Sequence, residues 1–299
     1  MSALNSRATR PASNRVAPPS RLRPWWKPLL GTGSRNILIL IATLAVLAPL
    51  ALMLLTSVQD QTQSFTNPLS LPHPLRWSNY SRAWREGSLV SKALNSAIVS
   101  FGSVVLATVF GAACAYACAR MRTRLVANLI VAIFAIGLVI PVQSGVVPLF
   151  LEMRDLRLLG TLAPMILVDA VMVMPVTVLL LTAFFGSVPR ELEDAARIEG
   201  ASRLRVLTSV VLPLARPSVV TSIILGLVTV WNDYFISLVF ATDQSLQTLP
   251  LGLAKFHGDY LTDWPATLAY SVMTAAPVLL LYIVLQRHIT DGLTAGALK

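Results

Sequence analysis

PRELEDAARIEGASRLRVLTSVVLPLARP, residues Pro189 to Pro217, is the polar interruption around which an otherwise apolar chain is arranged. It lies between two apolar blocks and carries nine charges in 29 residues, four acidic and five Arg. Glu191, Glu193 and Asp194 crowd its start, where a helix N-terminus favours negative charge, and Pro189 suits a first helical position. Leu192, Ala195, Ala196 and Glu199 recur at helical spacing, giving one narrow, small and mildly apolar face. Gly200 can take the backbone conformation that ends a helix. A second helical stretch, Leu204 to Leu212, is expected to stop against Pro213. The stretch therefore predicts a short helix, a tight turn and another short helix, held between membrane-crossing segments. Taken alone, this pattern also fits a solvated loop with two amphipathic pieces.

Composition decides the setting of that loop. The chain has 299 residues, 55% of them hydrophobic and only 13% charged, with a mean hydropathy of +0.68. Soluble domains carry about 25% charged residues, so a soluble class is excluded. The net charge of +10 does not read as a nucleic-acid surface, because the basic residues flank apolar runs instead of collecting on a folded polar module. No nucleic-acid partner is expected. Cys114 and Cys118 lie inside an apolar segment and read as small core residues. The three His residues (His73, His257 and His288) are scattered, so no His or Cys cluster has metal-ligand spacing. No bound cofactor is expected.

Residues 1–35 hold seven Lys/Arg and no acid, with many Pro, Ser and Ala, and read as a disordered basic cytoplasmic tail. No removable leader is read, since the first long apolar run begins near residue 36. A span needs roughly 20 apolar residues. Ile37–Ser57, Asn95–Ala119, Leu125–Phe150, Thr161–Phe185, Ser218–Ala241 and Pro265–Leu285 supply six. Gly102, Ser103, Gly111, Ala112 and Ala113 give the second a surface for close helix packing. Pro141, Gln143, Gly145 and Pro148 break the outer half of the third, which is either a pathway wall or a simple structural bend. With the N-terminus inside, inner segments hold 17 Lys/Arg and outer segments 7, which puts both termini and the loop 187–217 on the cytoplasmic side. The fold class read is all-α integral membrane protein. A permease-like domain would span 36–290, with a short tail at 291–299.

The pattern ELEDAARIEGAS followed by Leu-Pro resembles the EAA loop of ABC-importer permeases, where the membrane subunit docks on its ATPase. Asp194, Ala195, Ala196, Gly200, Leu212 and Pro213 occupy the motif positions; Asp194 shortens the usual Glu and keeps its charge. WNDYFISLVF (Trp231–Phe240), TLPLGLAKF (Thr248–Phe256) and GLTAGALK (Gly292–Lys299) follow in order. They resemble the carbohydrate branch, specifically the second of its two membrane subunits, the maltose-type inner permease. NYSRAW (Asn79–Trp84) also fits, and the family's further Gly after the terminal Lys is missing.

The resemblance implies a bacterial inner-membrane subunit that pairs with a different permease, two ATPase copies and an extracytoplasmic solute-binding protein, and carries a sugar-like solute. It implies that Glu191, Glu193 and Asp194 meet basic groups of the ATPase and that the terminal segment, read as extended, is either a frayed end or reaches the ATPase interface. The chain has no GxxxxGK[ST] phosphate loop, so ATP hydrolysis by that route would lie elsewhere. Gln143, Asn232, Tyr234 and Tyr270 are the candidate pathway residues. Two acids fall within the spans: Asp169 is placed where water could reach it, and Asp233 is read as pairing with a neighbouring helix. The competing readings are an importer for a non-sugar solute, such as a glycerophosphodiester or polyamine, and an ion-coupled secondary transporter. The lack of a charged relay argues against the latter.

Overall fold

A computed structural model of the chain describes residues 32–258 and 262–297. The chain divides into two compact units, Met1–Leu50 and Ala51–Lys299. The basic tail read at 1–35 lies almost wholly outside the described residues. Helix α1 (Thr32–Ser57) begins in the first unit, where Ile37, Leu40, Leu44 and Leu47 are all exposed.

In the second unit, α2 (Gln61–Thr66) and α3 (Ser78–Glu86) form from the polar stretch after α1. The buried Asn79 amide donates to the Ser57 and Gln59 carbonyls, at 2.9 Å each, and satisfies backbone that has left the helix. Next come α4 (Leu89–Arg120), α5 (Arg124–Gly137), α6 (Val146–Asp155) and α7 (Ala163–Ser187). Among the described helices, α4 and α7 pack against each other most extensively. Its closeness follows from the small residues: a Cβ on Gly111 would lie 2.9 Å from Thr177 Cγ2, and Ser103 Oγ donates to the Ile166 carbonyl at 3.0 Å. Val99, Val104, Met165, Val168 and Val173 fill the seam. The break expected in the third apolar stretch is a 92° bend between α5 and the segment Val142–Asp155. Pro141 is extended there (φ −69°, ψ 130°) and a 3₁₀ turn, Val142–Gly145, follows.

Beyond α7 the chain forms α8 (Arg190–Ile198), α9 (Arg203–Val206), a wide π turn at Leu207–Val211, α10 (Leu212–Leu214) and α11 (Arg216–Trp231). Then come α12 (Phe235–Phe240), α13 (Leu249–Gly252), a 3₁₀ turn at Leu253–Phe256, and α14 (Trp264–Ala297). Among the described residues, four helical segments are long and apolar enough to cross a membrane: Asn36–Ser57, Leu89–Arg120, Ala163–Ser187 and Trp264–Ile283. The α5–α6 pair and the pair Arg203–Leu214 with α11, bent by 84°, raise the number to six if each is one span.

Two local expectations are corrected. Pro213 does not stop the second short helix; the π turn just before it loosens the ladder where proline's missing N–H and ring would otherwise clash, and the helix runs to Leu214. The terminal stretch is not extended, because α14 continues through Ala297. Isolated Gly292 and Gly296 each cost a helix about 1 kcal/mol, too little to end it.

Candidate functional site

The loop between α7 and α11 is built on backbone chemistry that the sequence announces. Pro189 is extended (φ −57°, ψ 133°) and stands one residue before the first helical residue, Arg190. At the other end Gly200 is left-handed (φ +87°). Its N–H bonds the Arg197 carbonyl at 2.9 Å, and the Ala201 N–H bonds the Ala196 carbonyl at 3.0 Å. This paired closure satisfies the last carbonyls of α8 and turns the chain sharply into α9. Ser202 then caps α9, its Oγ accepting from the Arg205 N–H.

The residues of α8 divide between two faces. Glu191, Leu192, Asp194, Ala195, Ile198, Glu199 and Gly200 are exposed, Ile198 by 88%. Ala196 and Leu212 instead face inward, packed with Ala201 against Tyr116, Leu181, Phe185, Val206 and Val211, while Pro213 is exposed. Glu193 is the main departure from the reading of an acidic docking cluster. It is 1% exposed and turned toward α4, where Arg120 Nε donates to its Oε1 at 2.5 Å and the Tyr116 hydroxyl donates to its Oε2 at 2.8 Å. Arg120 also donates to the Val188 carbonyl at 3.1 Å. Arg197, four residues on, completes the set at 3.5 Å. Glu193 therefore has its charge satisfied within the chain, and of the three clustered acids Glu191 and Asp194 are left facing outward. Sequence reasoning missed Tyr116 and Arg120. The available signal was their four-residue spacing, which places a hydroxyl and a guanidinium on one face at the end of an apolar helix. A cavity of about 240 Å³ lies beside α8, lined by Ala196, Glu199, Ala201, Arg205, Ser209 and Val210.

The candidate pathway residues are not brought together. Asn232 and Tyr234 line a cleft of about 380 Å³ with Trp231, Leu249, Leu253 and Thr274. Gln143 is exposed in the 3₁₀ turn and is not among the residues of that cleft. Tyr270 is fully buried, its hydroxyl donating to the Leu249 carbonyl at 3.2 Å and its ring 5.5 Å from Phe256. It is a core residue, because an aromatic body with one internal bond gains most by burial. Among the described residues Asp233 pairs with no neighbouring helix; its Oδ1 accepts the Ile236 N–H at 2.6 Å, in the first turn of α12. Asp169 is buried, only 4% exposed, and not open to water.

Residues 107–291 match the family model described as the binding-protein-dependent transport system inner membrane component. The sulfoquinovosyl glycerol transport system permease protein SmoH of Agrobacterium fabrum is 35% identical over 254 residues, covering 85% of this chain and 89% of that protein. The melibiose/raffinose/stachyose import permease protein MelC of Bacillus subtilis is 32% identical over 272 residues, covering 90% and 98%. Among solved structures, a bacterial ABC transporter involved in the import of the acidic polysaccharide alginate matches with a TM-score of 0.73 at 25% identity, covering 85% of this chain and 94% of that chain. The chain belongs to the family of binding-protein-dependent transport system inner membrane components, among the permeases of carbohydrate ABC importers.

Proposed function

We propose that this chain is one membrane subunit of an ATP-driven importer that carries a sugar or sugar-like solute across the bacterial inner membrane. The observation that carries this reading is the loop itself. Helix α8 presents Leu192, Asp194, Ala195 and Ile198 outward, while Glu193 fastens its other face to α4. A helix exposed on one side and bolted on the other can transmit a push. Closure of an ATPase pair against it would move α4 along with α7 and α11, and access would alternate as those helices rock.

In this reading the two bent helix pairs are each one span, giving six. The excess of Lys/Arg on inner segments, 17 against 7, sets both termini and α8 in the cytoplasm. The docking surface comprises Glu191, Asp194, Ala195, Gly200 and Pro213, with Ala196, Leu212 and Glu193 supporting it from behind. The domain plan is a basic tail at 1–35, the permease domain at 36–290 and a short tail at 291–299 that lies by the ATPase. ATP is hydrolysed by two copies of a separate subunit, and the chain itself holds no cofactor. A different permease completes the pathway, and an extracytoplasmic binding protein delivers the solute. The cleft of Asn232 and Tyr234 belongs to the pathway. That SmoH and MelC are named for sugar compounds supports a sugar-like solute.

The test is co-purification of the tagged chain after mild solubilisation, with identification of what remains bound. A second permease and an ATPase, both lost when Asp194–Gly200 is replaced by a Gly/Ser stretch, are the expected result. Recovery of the chain alone, with uptake in ATP-free vesicles driven by an ion gradient, would reject the reading.

A further inference from the structure

The outer end of α4 holds a feature that the importer mechanism does not use. Lys92 is 6% exposed, yet among the described residues no carboxylate pairs with it and no side-chain hydrogen bond engages its ammonium. A buried, unpaired ammonium is expensive. Its aliphatic stem runs past Gly252, where a Cβ would clash first with the Tyr270 hydroxyl and would also lie 3.0 Å from Lys92 Cδ; glycine at that position leaves room for both side chains. Beyond the stem, Lys92 lines a cavity of about 370 Å³ with Glu86, Ser88, Gln244, Gln247 and Lys255. The polar part of the lining is two cations against one anion, with two amides and a hydroxyl, beside Leu251 and Ala254. Ser88 is also where α4 begins, and that end has no side-chain cap, so the helix dipole adds positive potential.

We infer that this cavity binds the carboxylate of an acidic sugar unit, with Lys92 as the buried counter-ion, Lys255 as the second cation at the mouth, and Gln244 and Gln247 bonding sugar hydroxyls. The inference deepens the proposed importer function by naming the solute class; it depends on that function only for which side of the membrane the cavity faces. A neutral sugar would leave Lys92 without a carboxylate at ion-pair distance. A uronate supplies the missing charge and enough hydroxyls for the amides.

The experiment is thermal unfolding of the purified full chain in detergent, titrated with sodium galacturonate, galactose or sodium acetate at constant ionic strength. Galacturonate is expected to raise the melting temperature saturably, with galactose at least tenfold weaker and acetate intermediate. Lys92→Met should abolish the galacturonate response. Lys255→Gln, at an exposed position that leaves folding undisturbed, should weaken apparent affinity about tenfold, the size of one lost charge-assisted contact. A galacturonate response that persists in both variants, or no saturable response in the unaltered chain, overturns the inference. Acetate binding as tightly as galacturonate overturns the sugar assignment. Because the readout needs neither ATP nor partners, it can fail while the co-purification succeeds, and the reverse.

Discussion

Helix α4 carries a cation largely withdrawn from solvent at each end, Lys92 buried and Arg120 partly so, and the two are treated differently. At its C-terminal end, the inner one in the proposed topology, Arg120 meets Glu193 at 2.5 Å, with side-chain exposures of 12% and 2%, and Tyr116 holds the other carboxylate oxygen. At its N-terminal end, the outer one in that topology, Lys92 is buried and, among the described residues, has no acid within ion-pair distance, Glu86 sharing its cavity without pairing with it. Burial of charge costs free energy at both places. The inner site offsets that cost within the chain, which marks it as a joint between α8 and α4. The outer site leaves it standing, which marks it as a place that something charged visits. One helix thus shows how a structural ion pair and a binding site differ: by whether the chain supplies its own counter-ion.

The largest effect should come from breaking the joint. Glu193→Ala removes the buried partner of the largely shielded Arg120 and is expected to cost about 3–5 kcal/mol, read as a lowered midpoint in thermal or denaturant unfolding. The double variant Glu193→Leu with Arg120→Met replaces the pair by apolar groups and should recover most of that stability. Uptake should stay impaired in the double variant, since α8 is then packed but no longer bolted. Full recovery of uptake would show that the pair only fills space. The outer end predicts the opposite sign. Lys92→Met removes an unpaired charge and should raise ligand-free stability by about 1–3 kcal/mol; a loss would mean that Lys92 has a structural partner after all, and the contrast would collapse.

The turn that aims the inner joint can be tested separately. Gly200 has φ +87° and no atom within 4 Å of where a Cβ would sit, so strain there is of the backbone alone. Gly200→Val should cost about 1–2 kcal/mol, and Gly200→Asn distinctly less, because Asn tolerates the left-handed region. Uptake should fall in the same order. Equal damage from Asn and Val would show that bulk against the docked partner governs this position, not backbone geometry.

How much of this was legible follows from where the information is local. Gly200 as a helix end, the interruption around Pro141 and the close packing at Gly111 each rest on a property of one residue type, and each is found. The Asp194–Gly200 motif located the loop for the same reason. The inward turn of Glu193 was not legible, since its partner lies 73 residues away and the rotation of α8 is fixed by how that helix docks on α4. Tyr270 and Tyr234 read alike as aromatic hydroxyls; only packing separates the fully buried one from the one that is 44% exposed. Asp233 looked like a membrane charge seeking a partner across the bundle, yet it found an N–H three residues away. Lys92 was counted in sequence only as an outer basic residue, because burial is a property of the assembled α4, α13 and the 3₁₀ turn after it.

The smallest effect completes the contrast by asking what Arg197 adds to the inner joint. Its guanidinium reaches Glu193 at 3.5 Å and Asp194 at 3.4 Å, and its side chain is 44% exposed. Half-exposed pairs of this kind are screened by water and salt and contribute about 0.3–0.5 kcal/mol. Arg197→Ala should therefore shift the unfolding midpoint barely at all, and less still at high salt. Uptake should be close to that of the unaltered chain, because Arg120 and Tyr116 still hold Glu193. Were Arg197→Ala as damaging as Glu193→Ala, the joint would have to be redrawn as a pair within α8, and the mechanical link from α8 to α4 would lose its physical basis.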